Sequence, residues 1–195
     1  MNDVAIRLAS VDDAEELLKI YAYYVEHTAV SFEYDVPAPA EFRERIARTL
    51  TKYPYFVAES EEGILGYAYA GPFVGRAAYG WSAELTIYLA PDRRGRGLGR
   101  KLYGELEAAL AEMGITNLYA CIGLPEEEDE YLTRSSAEFH AHMGFAAVGT
   151  FRRCGRKFQR WYDMIWMEKI IGEHGDNPPV RRFSETEYAR EDMAQ

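Results

Sequence analysis

Arg93-Arg94-Gly95-Arg96-Gly97-Leu98-Gly99-Arg100-Lys101 joins an alternating apolar segment, Glu84 to Leu89, to an amphipathic stretch that starts near Gly99. Strand, glycine-rich basic turn and helix, in that order, predict a cradle for a diphosphate. The glycines let the backbone turn with its N–H groups aimed at one spot, and a helix N-terminus adds partial positive charge there. A Walker loop places Gly-Lys-Ser/Thr after four intervening residues, where this chain has Arg100. A dinucleotide fingerprint read from Gly95 or Gly97 puts Arg100 or Leu102 at the third glycine. Both nucleotide motifs are therefore set aside.

Composition frames the motif. A chain of 195 residues, 48% hydrophobic, is one ordinary domain with room for a core. The formal charge is −10, yet residues 91–101 carry five basic side chains against Asp92 alone. A basic loop on an acidic background reads as a site for a small anion; nucleic acid would need a broad basic face. Cys121 and Cys154 form no CxxC pair and read as structural thiols of a reducing compartment. No run approaches membrane-spanning length, and the N-terminus lacks a basic-then-apolar signal pattern. The expectation is a cytoplasmic enzyme with no membrane, metal or nucleic-acid partner.

Periodicity along the chain predicts the order β-α-α-β-β-β-α-β-α-β-β. A strand over 4–8 precedes a helix whose start is marked by Ser10 and Asp13, and whose apolar face is Leu17, Ile20, Tyr21, Tyr24 and Val25. A second helix aligns Phe42, Ile46 and Leu50. Strands over 55–59 and 64–70 form a hairpin, followed by a strand over 83–89 and a helix over 99–113 that buries Leu102, Leu106, Leu110 and Met113. A strand over 117–122, a helix over 135–143 and strands near 145–151 and 161–169 complete the domain. The polar segment from Gly172, with Pro178-Pro179, is expected as an appendage with a short helix after Ser184.

The spacing Arg94-Gly95-Arg96-Gly97-Leu98-Gly99 resembles the pyrophosphate-binding signature of the GNAT N-acetyltransferases. Further strings are similar to the phosphinothricin acetyltransferase branch: Tyr67-Ala68-Tyr69-Ala70-Gly71-Pro72-Phe73, Arg76, Ala78-Tyr79, Trp81, Glu84-Leu85-Thr86-Ile87-Tyr88 and Ile122-Gly123-Leu124-Pro125. The resemblance covers roughly residues 4–169. It implies an α/β (α+β) GNAT fold: a mixed, mostly antiparallel sheet of about seven strands flanked by about four helices. It also implies a domain over 1–171 with the appendage at 172–195, acetyl-coenzyme A as acetyl donor, a small-molecule amine as acceptor, and a homodimer.

Acetyl transfer to an amine needs a neutral nitrogen, a polarised carbonyl and a proton for the departing thiolate. Strand alternation sets Leu85, Ile87 and Leu89 on one face and Glu84, Thr86 and Tyr88 on the other. The resemblance assigns Glu84 the general base, acting directly or through a water. It lays the pantetheine arm along Thr86, Ile87, Tyr88 and Leu89, with the Ile87 N–H on the thioester oxygen. The pyrophosphate falls to Arg94, Gly95, Arg96, Gly97, Leu98 and Gly99, and further donor contacts to Thr133 and Ser136.

Four residues before Gly144, where the superfamily commonly has a tyrosine acid, this chain has the branch's histidine, His140. Either acid or base duty suits an imidazole. His142 projects to the other side of that helix and reads as surface or packing. Phe32, Arg76 and Tyr79 match positions that line the acceptor pocket in the branch; Arg76 is a fork suited to a carboxylate. Against the resemblance, Val74 stands where close members can carry a lysine, Thr133 where an asparagine is usual, and Glu126-Glu127-Glu128-Asp129-Glu130 reads as an acidic insertion. An acyl-coenzyme A sensor would need neither Glu84 nor His140. An enzyme acting on peptide N-termini, polyamines or antibiotics would differ only on the acceptor side.

Overall fold

The structure, a computed structural model, describes residues 4–192. Its strands are β1 (Ala5–Leu8), β2 (Tyr55–Ser60), β3 (Gly63–Pro72), β4 (Ser82–Leu89), β5 (Asn117–Leu124), β6 (Ala146–Lys157) and β7 (Arg160–Ile170). The helices are α1 (Ala14–His27), α2 (Pro39–Leu50), α3 (Leu98–Met113), α4 (Ser135–His142) and α5 (Glu187–Asp192). Ser10 and Asp13 do form a capping box, on a 3₁₀ turn (Val11–Asp13) that runs straight into α1.

The sheet order is β1-β2-β3-β4-β5-β7-β6. Every neighbouring pair is antiparallel except β4 and β5, which are joined through α3 and run parallel. One face of the sheet packs under α3, where Leu102, Leu106 and Leu110 are fully buried. Each such leucine contributes about 2 kcal/mol of transfer free energy. The opposite face of the first strands packs under α1 and α2, with Tyr55, Val57 and Tyr67 against Leu17, Tyr21 and Ile46.

Two segments depart from expectation. β6 runs on to Lys157, past the end expected near 151, because register shifts after Ala147 and after Phe151 carry the ladder across residues that lack apolar alternation. Arg153 takes φ +47 in the second shift, and its N–H donates to the Asp163 carboxylate at 2.7 Å. The tail is not a mere appendage. It lays Phe183, Thr186 and Ala189 into the core beside α3, and the Phe183 N–H donates to the Lys52 carbonyl at 2.9 Å. Polar composition hid it, since only every few residues of the tail point inward.

Candidate active site

The parallel strands β4 and β5 pair at Ser82, Ala83 and Glu84 and then part. Beyond Glu84, β4 keeps its partner β3 on one edge, through Gly66 opposite Leu89, and loses β5 on the other. The register decides which amides face the gap. The Ala90 N–H donates to the Leu65 carbonyl, so by alternation residues 84, 86 and 88 bond to β3 while the N–H groups of 85, 87 and 89 point to the vacated edge. The Ile87 amide therefore faces the fork, where a carbonyl oxygen could accept from it. The Leu89 carbonyl, turned the same way, accepts from the Tyr24 hydroxyl at 2.5 Å.

Glu84 sits at the mouth of the fork, half-buried, with no side-chain hydrogen bond or ion pair among the described residues. Burial alone pushes its carboxyl above the ordinary glutamate value. Thr86, Tyr88 and Cys121 line the same cleft. Burial, with Glu84 and Cys154 nearby, pushes the Cys121 thiol up to about 12, which keeps it protonated and a poor nucleophile. The Tyr88 ring packs against Tyr21, Tyr24 and Tyr67, so it steadies the strand.

His140, on α4, is buried and faces α3. Its Nδ1–H donates to the Ser136 carbonyl at 2.7 Å, which leaves Nε2 to accept from the Tyr103 hydroxyl at 2.8 Å. Burial lowers the imidazole below its ordinary value, partly offset by the Ser136 bond, and raises the phenol far above its own. Tyr103 lines the cleft with Glu84 and His140. Sequence reading gave position 103 no role. A hydroxyl-bearing aromatic one position along a buried helical face was the signal available.

A groove continues from the cleft, sharing Val30, Ile87, Leu132 and Ser136 with it, and runs to Leu89, Arg94, Gly95 and Gly99 along the α4 side of β4. Thr133 lies on its wall, its hydroxyl bonded to that of Ser135 at 2.8 Å. Gly95 and Gly97 hold φ +72 and +78, and nothing lies within 4 Å of where a Cβ would stand on either. Gly97 caps α3 in the left-handed region, and no side chain among the described residues bonds the N–H groups of the first turn. A bare, open, cation-flanked turn of this kind fits a pyrophosphate. Arg93 is consumed by Glu62 and Asp92, whereas Arg94, Arg96 and Arg100 make no ion pair among the described residues. Leu98 is a core residue, so it can serve the turn only through its backbone.

The sequence model of the acetyltransferase (GNAT) domain matches residues 6–166. The chain belongs to the GNAT acetyltransferase family. It is 38% identical to phosphinothricin N-acetyltransferase of Streptomyces coelicolor over 87% of this chain and 97% of that one. An L-methionine sulfoximine/L-methionine sulfone acetyltransferase of Salmonella typhimurium is 29% identical over 88% and 96% of the two chains. The crystal structure of a GNAT phosphinothricin acetyltransferase from Sinorhizobium meliloti, in complex with AcCoA, superposes with TM-score 0.81 at 32% identity, covering 91% and 93%.

Of the acceptor residues expected by resemblance to GNAT enzymes, none lines the Glu84 cleft directly. Arg76 and Tyr79 lie exposed on the 73–81 connection, which leaves β3 and enters β4 at the Glu84 end, where Gly71 stands opposite Glu84. Tyr79 meets Phe73 edge-on, and Phe73 stacks on Tyr119 at 3.9 Å. Phe32 lies flat against Gly155 and near Tyr162. The acidic run is largely neutralised in place: Arg160 bonds both Glu130 oxygens and pairs with Asp129, and Arg153 pairs with Glu126. Glu130 borders the donor-side groove and does not overhang the Glu84 cleft.

Proposed function

We propose that this GNAT enzyme transfers the acetyl group of acetyl-coenzyme A to the amine of a small amino-acid-like acceptor of the phosphinothricin or methionine sulfoximine type. The observation that carries this reading is Glu84, an unpaired carboxyl raised by burial, at the point where β4 and β5 separate. Relatives named for those two acceptors support the amino-acid class.

The residues of the groove fit the donor. Gly95, Gly97 and Gly99 with the first amides of α3 would hold the pyrophosphate, flanked by Arg94 and Arg96; Thr133 and Ser136 would meet the pantetheine arm. The donor supplies an activated acetyl thioester. Glu84 takes the ammonium proton, directly or through a water, and its raised value makes it a stronger base than an exposed carboxylate. The Ile87 N–H, on the vacated edge, would donate to an acyl oxygen held there, a bond that strengthens as negative charge grows on that oxygen.

For the thiolate, the donor nearest to hand is the Tyr103 hydroxyl, whose single proton points to His140 Nε2 in the structure and would turn from it to the departing sulfur. Nε2 of His140 carries no proton in the observed tautomer, so the imidazole itself has none to give on that side. A phenol raised so far above a thiol near 8.5 stabilises a thiolate by hydrogen bonding without surrendering its proton.

On the acceptor side, Arg76 has no ion-pair partner among the described residues and offers a fork for an α-carboxylate, with Tyr79 and Phe32 as accessory walls. Val74 brings no charge to the connection that carries Arg76. We also infer a cytoplasmic homodimer built on the outer β6–β7 hairpin, where Val148, Phe151 and Trp161 are exposed. A monomeric mass at micromolar concentration would refute the dimer.

The deciding experiment is a thiol-release screen with acetyl-coenzyme A against amino acids, their sulfoximine and phosphinic analogues, peptides, polyamines and aminoglycosides. An amino acid or close analogue is acetylated well and its amide poorly, and Arg76→Ala raises KM far more than it lowers kcat. Equal rates for acid and amide reject the amino-acid pocket.

A further inference from the structure

The Glu84 cleft and the groove run together as one channel, and the β6–β7 hairpin braces both of its sides. On one side it carries the 28–38 connection between α1 and α2. Lys157 Nζ donates to the Ser31 carbonyl at 2.6 Å, the Tyr34 hydroxyl donates to the Arg156 carbonyl at 2.5 Å, and a Cβ on Gly155 would run into the Phe32 ring. On the other side it carries the loop before α4. One Asp129 oxygen accepts from the Tyr162 hydroxyl at 2.9 Å and pairs with Arg160, and the other accepts from the Tyr131 and Leu132 amides at 2.8 Å. The Ala29 N–H donates to the Tyr131 carbonyl at 3.0 Å, so the two segments are also tied to each other. Val30 and Leu132 emerge from them to line both the cleft and the groove, together with Ile87.

Lys157 stands out in this brace, because it is 3% exposed and no step described above uses it. No carboxylate forms an ion pair with it among the described residues; Glu33, the acidic group that acts on it, is engaged by Arg45 at 2.8 Å. Burial pushes its ammonium down to about 8. Taking a cation out of water for one carbonyl is a poor route to stability, since an apolar side chain of the same length would fill the space without the desolvation cost. What the ammonium supplies is a charge-assisted bond that fixes Ser31 in place. The Ser31 Oγ is held from the opposite side by the Tyr21 hydroxyl of α1 at 2.9 Å, and Ala29 is held at Tyr131. Val30 therefore sits between two pinned neighbours.

We propose that Lys157 is a positioning residue for acetyl transfer: by holding the Ser31 carbonyl it fixes Val30 at the junction of cleft and groove, so that thioester and amine meet in reacting geometry. The inference rests on the acetyl-transfer reading above and deepens it. Its consequence is a split between binding and turnover. The glycine turn at Gly95 and Gly97 lies at the far end of the groove from this junction, so loosening Val30 leaves donor affinity in place and slows the reaction of substrates already bound.

The test is thiol-release kinetics on the full chain with saturating acetyl-coenzyme A and the best acceptor of the screen, alongside calorimetry with coenzyme A and thermal melts. Lys157→Met keeps the length of the side chain and loses the donor. Its kcat falls about tenfold, its coenzyme A affinity stays within about twofold of wild type, and its unfolding midpoint changes little. Lys157→Gln, shorter but still a donor, recovers part of the rate and decides the matter if the Met variant does not fold. Gly155→Ala, which pushes the Phe32 ring and its connection off the hairpin without touching the ammonium, lowers kcat in the same way. Wild-type kcat in a folded Lys157 variant overturns the proposal, and with a lowered midpoint it marks a lysine that only stabilises the fold. A loss of coenzyme A affinity as large as the loss of kcat also overturns it. Absence of thiol release by wild type with every acceptor overturns the acetyl-transfer reading itself.

Discussion

Glu84 and His140 are both buried titratable groups, but burial acts on them with opposite signs. For Glu84 it raises the carboxyl above the ordinary value, so the folded protein holds that proton to higher pH than the unfolded chain does. Below the ordinary glutamate value both states are protonated and nothing is lost. As pH rises through the folded value, the folded state is left with a desolvated charge and loses stability. Glu84→Gln, isosteric with the protonated form, is therefore expected to raise the unfolding midpoint at pH 8 and to leave it unchanged near pH 4. The same variant should lower kcat by about a hundredfold and move the rise of rate to higher pH, where more amine is already neutral. A wild-type pH–rate profile in the folded variant removes Glu84 from proton transfer. For His140 burial favours the neutral ring, and with its Nδ1–H on the Ser136 carbonyl its Nε2 is left to accept from the Tyr103 hydroxyl. The histidine was legible from its spacing to Gly144, whereas its tyrosine partner was not, because the two meet only when α4 packs on α3.

Elements with a strong period were legible to within a residue or two: β4, α3 and α4 fall where alternation and the apolar stripe put them. In the last hairpin β7 falls within a residue of its expected span, whereas the second half of β6 was not legible, since register shifts and left-handed residues carry no periodic signal. The hairpin's tip is a two-residue turn between paired Lys157 and Arg160, and both central residues, Phe158 and Gln159, have positive φ, at 49° and 62°. A turn of this hand favours Asn-Gly, and a non-glycine residue there costs about 1 kcal/mol or more. Phe158 is offset by stacking on Tyr131 at 4.1 Å; no ring contact or hydrogen bond holds the Gln159 side chain among the described residues. Gln159→Gly should raise the unfolding midpoint by about 2–4 °C in a thermal melt, the shift that 1 kcal/mol produces in a domain of this size. Gly97, at φ +78, makes the opposite case. Its left-handed conformation shapes the mouth of α3, with open space where a Cβ would go. Gly97→Val should keep the fold and abolish acetyl-coenzyme A binding, and unchanged calorimetric affinity in the folded variant would count against the cradle.

Over the whole molecule, the glycine turn and the fork are coupled through β4, since the strand whose free edge offers the Ile87 amide leads straight to the turn that opens α3. Anything that holds α3 against the sheet therefore holds both ends of the channel in register, and the tail is one such clamp. Its Arg181 N–H donates to the Met113 carbonyl at the end of α3, and Glu112 on the same helix accepts from the Glu187 and Tyr188 amides. Phe183 then inserts beside Phe56 of β2, their rings edge-on at 6.1 Å. The ring is 5% exposed, so Phe183→Ala removes a buried aromatic and leaves a cavity at the α3–β2 seam, at a cost of about 3–5 kcal/mol. Denaturant melts should show the midpoint falling with little change in slope. Because the tail is tied to the Met113 end of α3 and the groove reaches its Leu98 end, the folded fraction should keep its KM for both substrates at low temperature. A variant as stable as wild type would show that the tail merely lies on the surface, whereas a raised KM for acetyl-coenzyme A in the folded protein would show that the clamp also sets the position of α3.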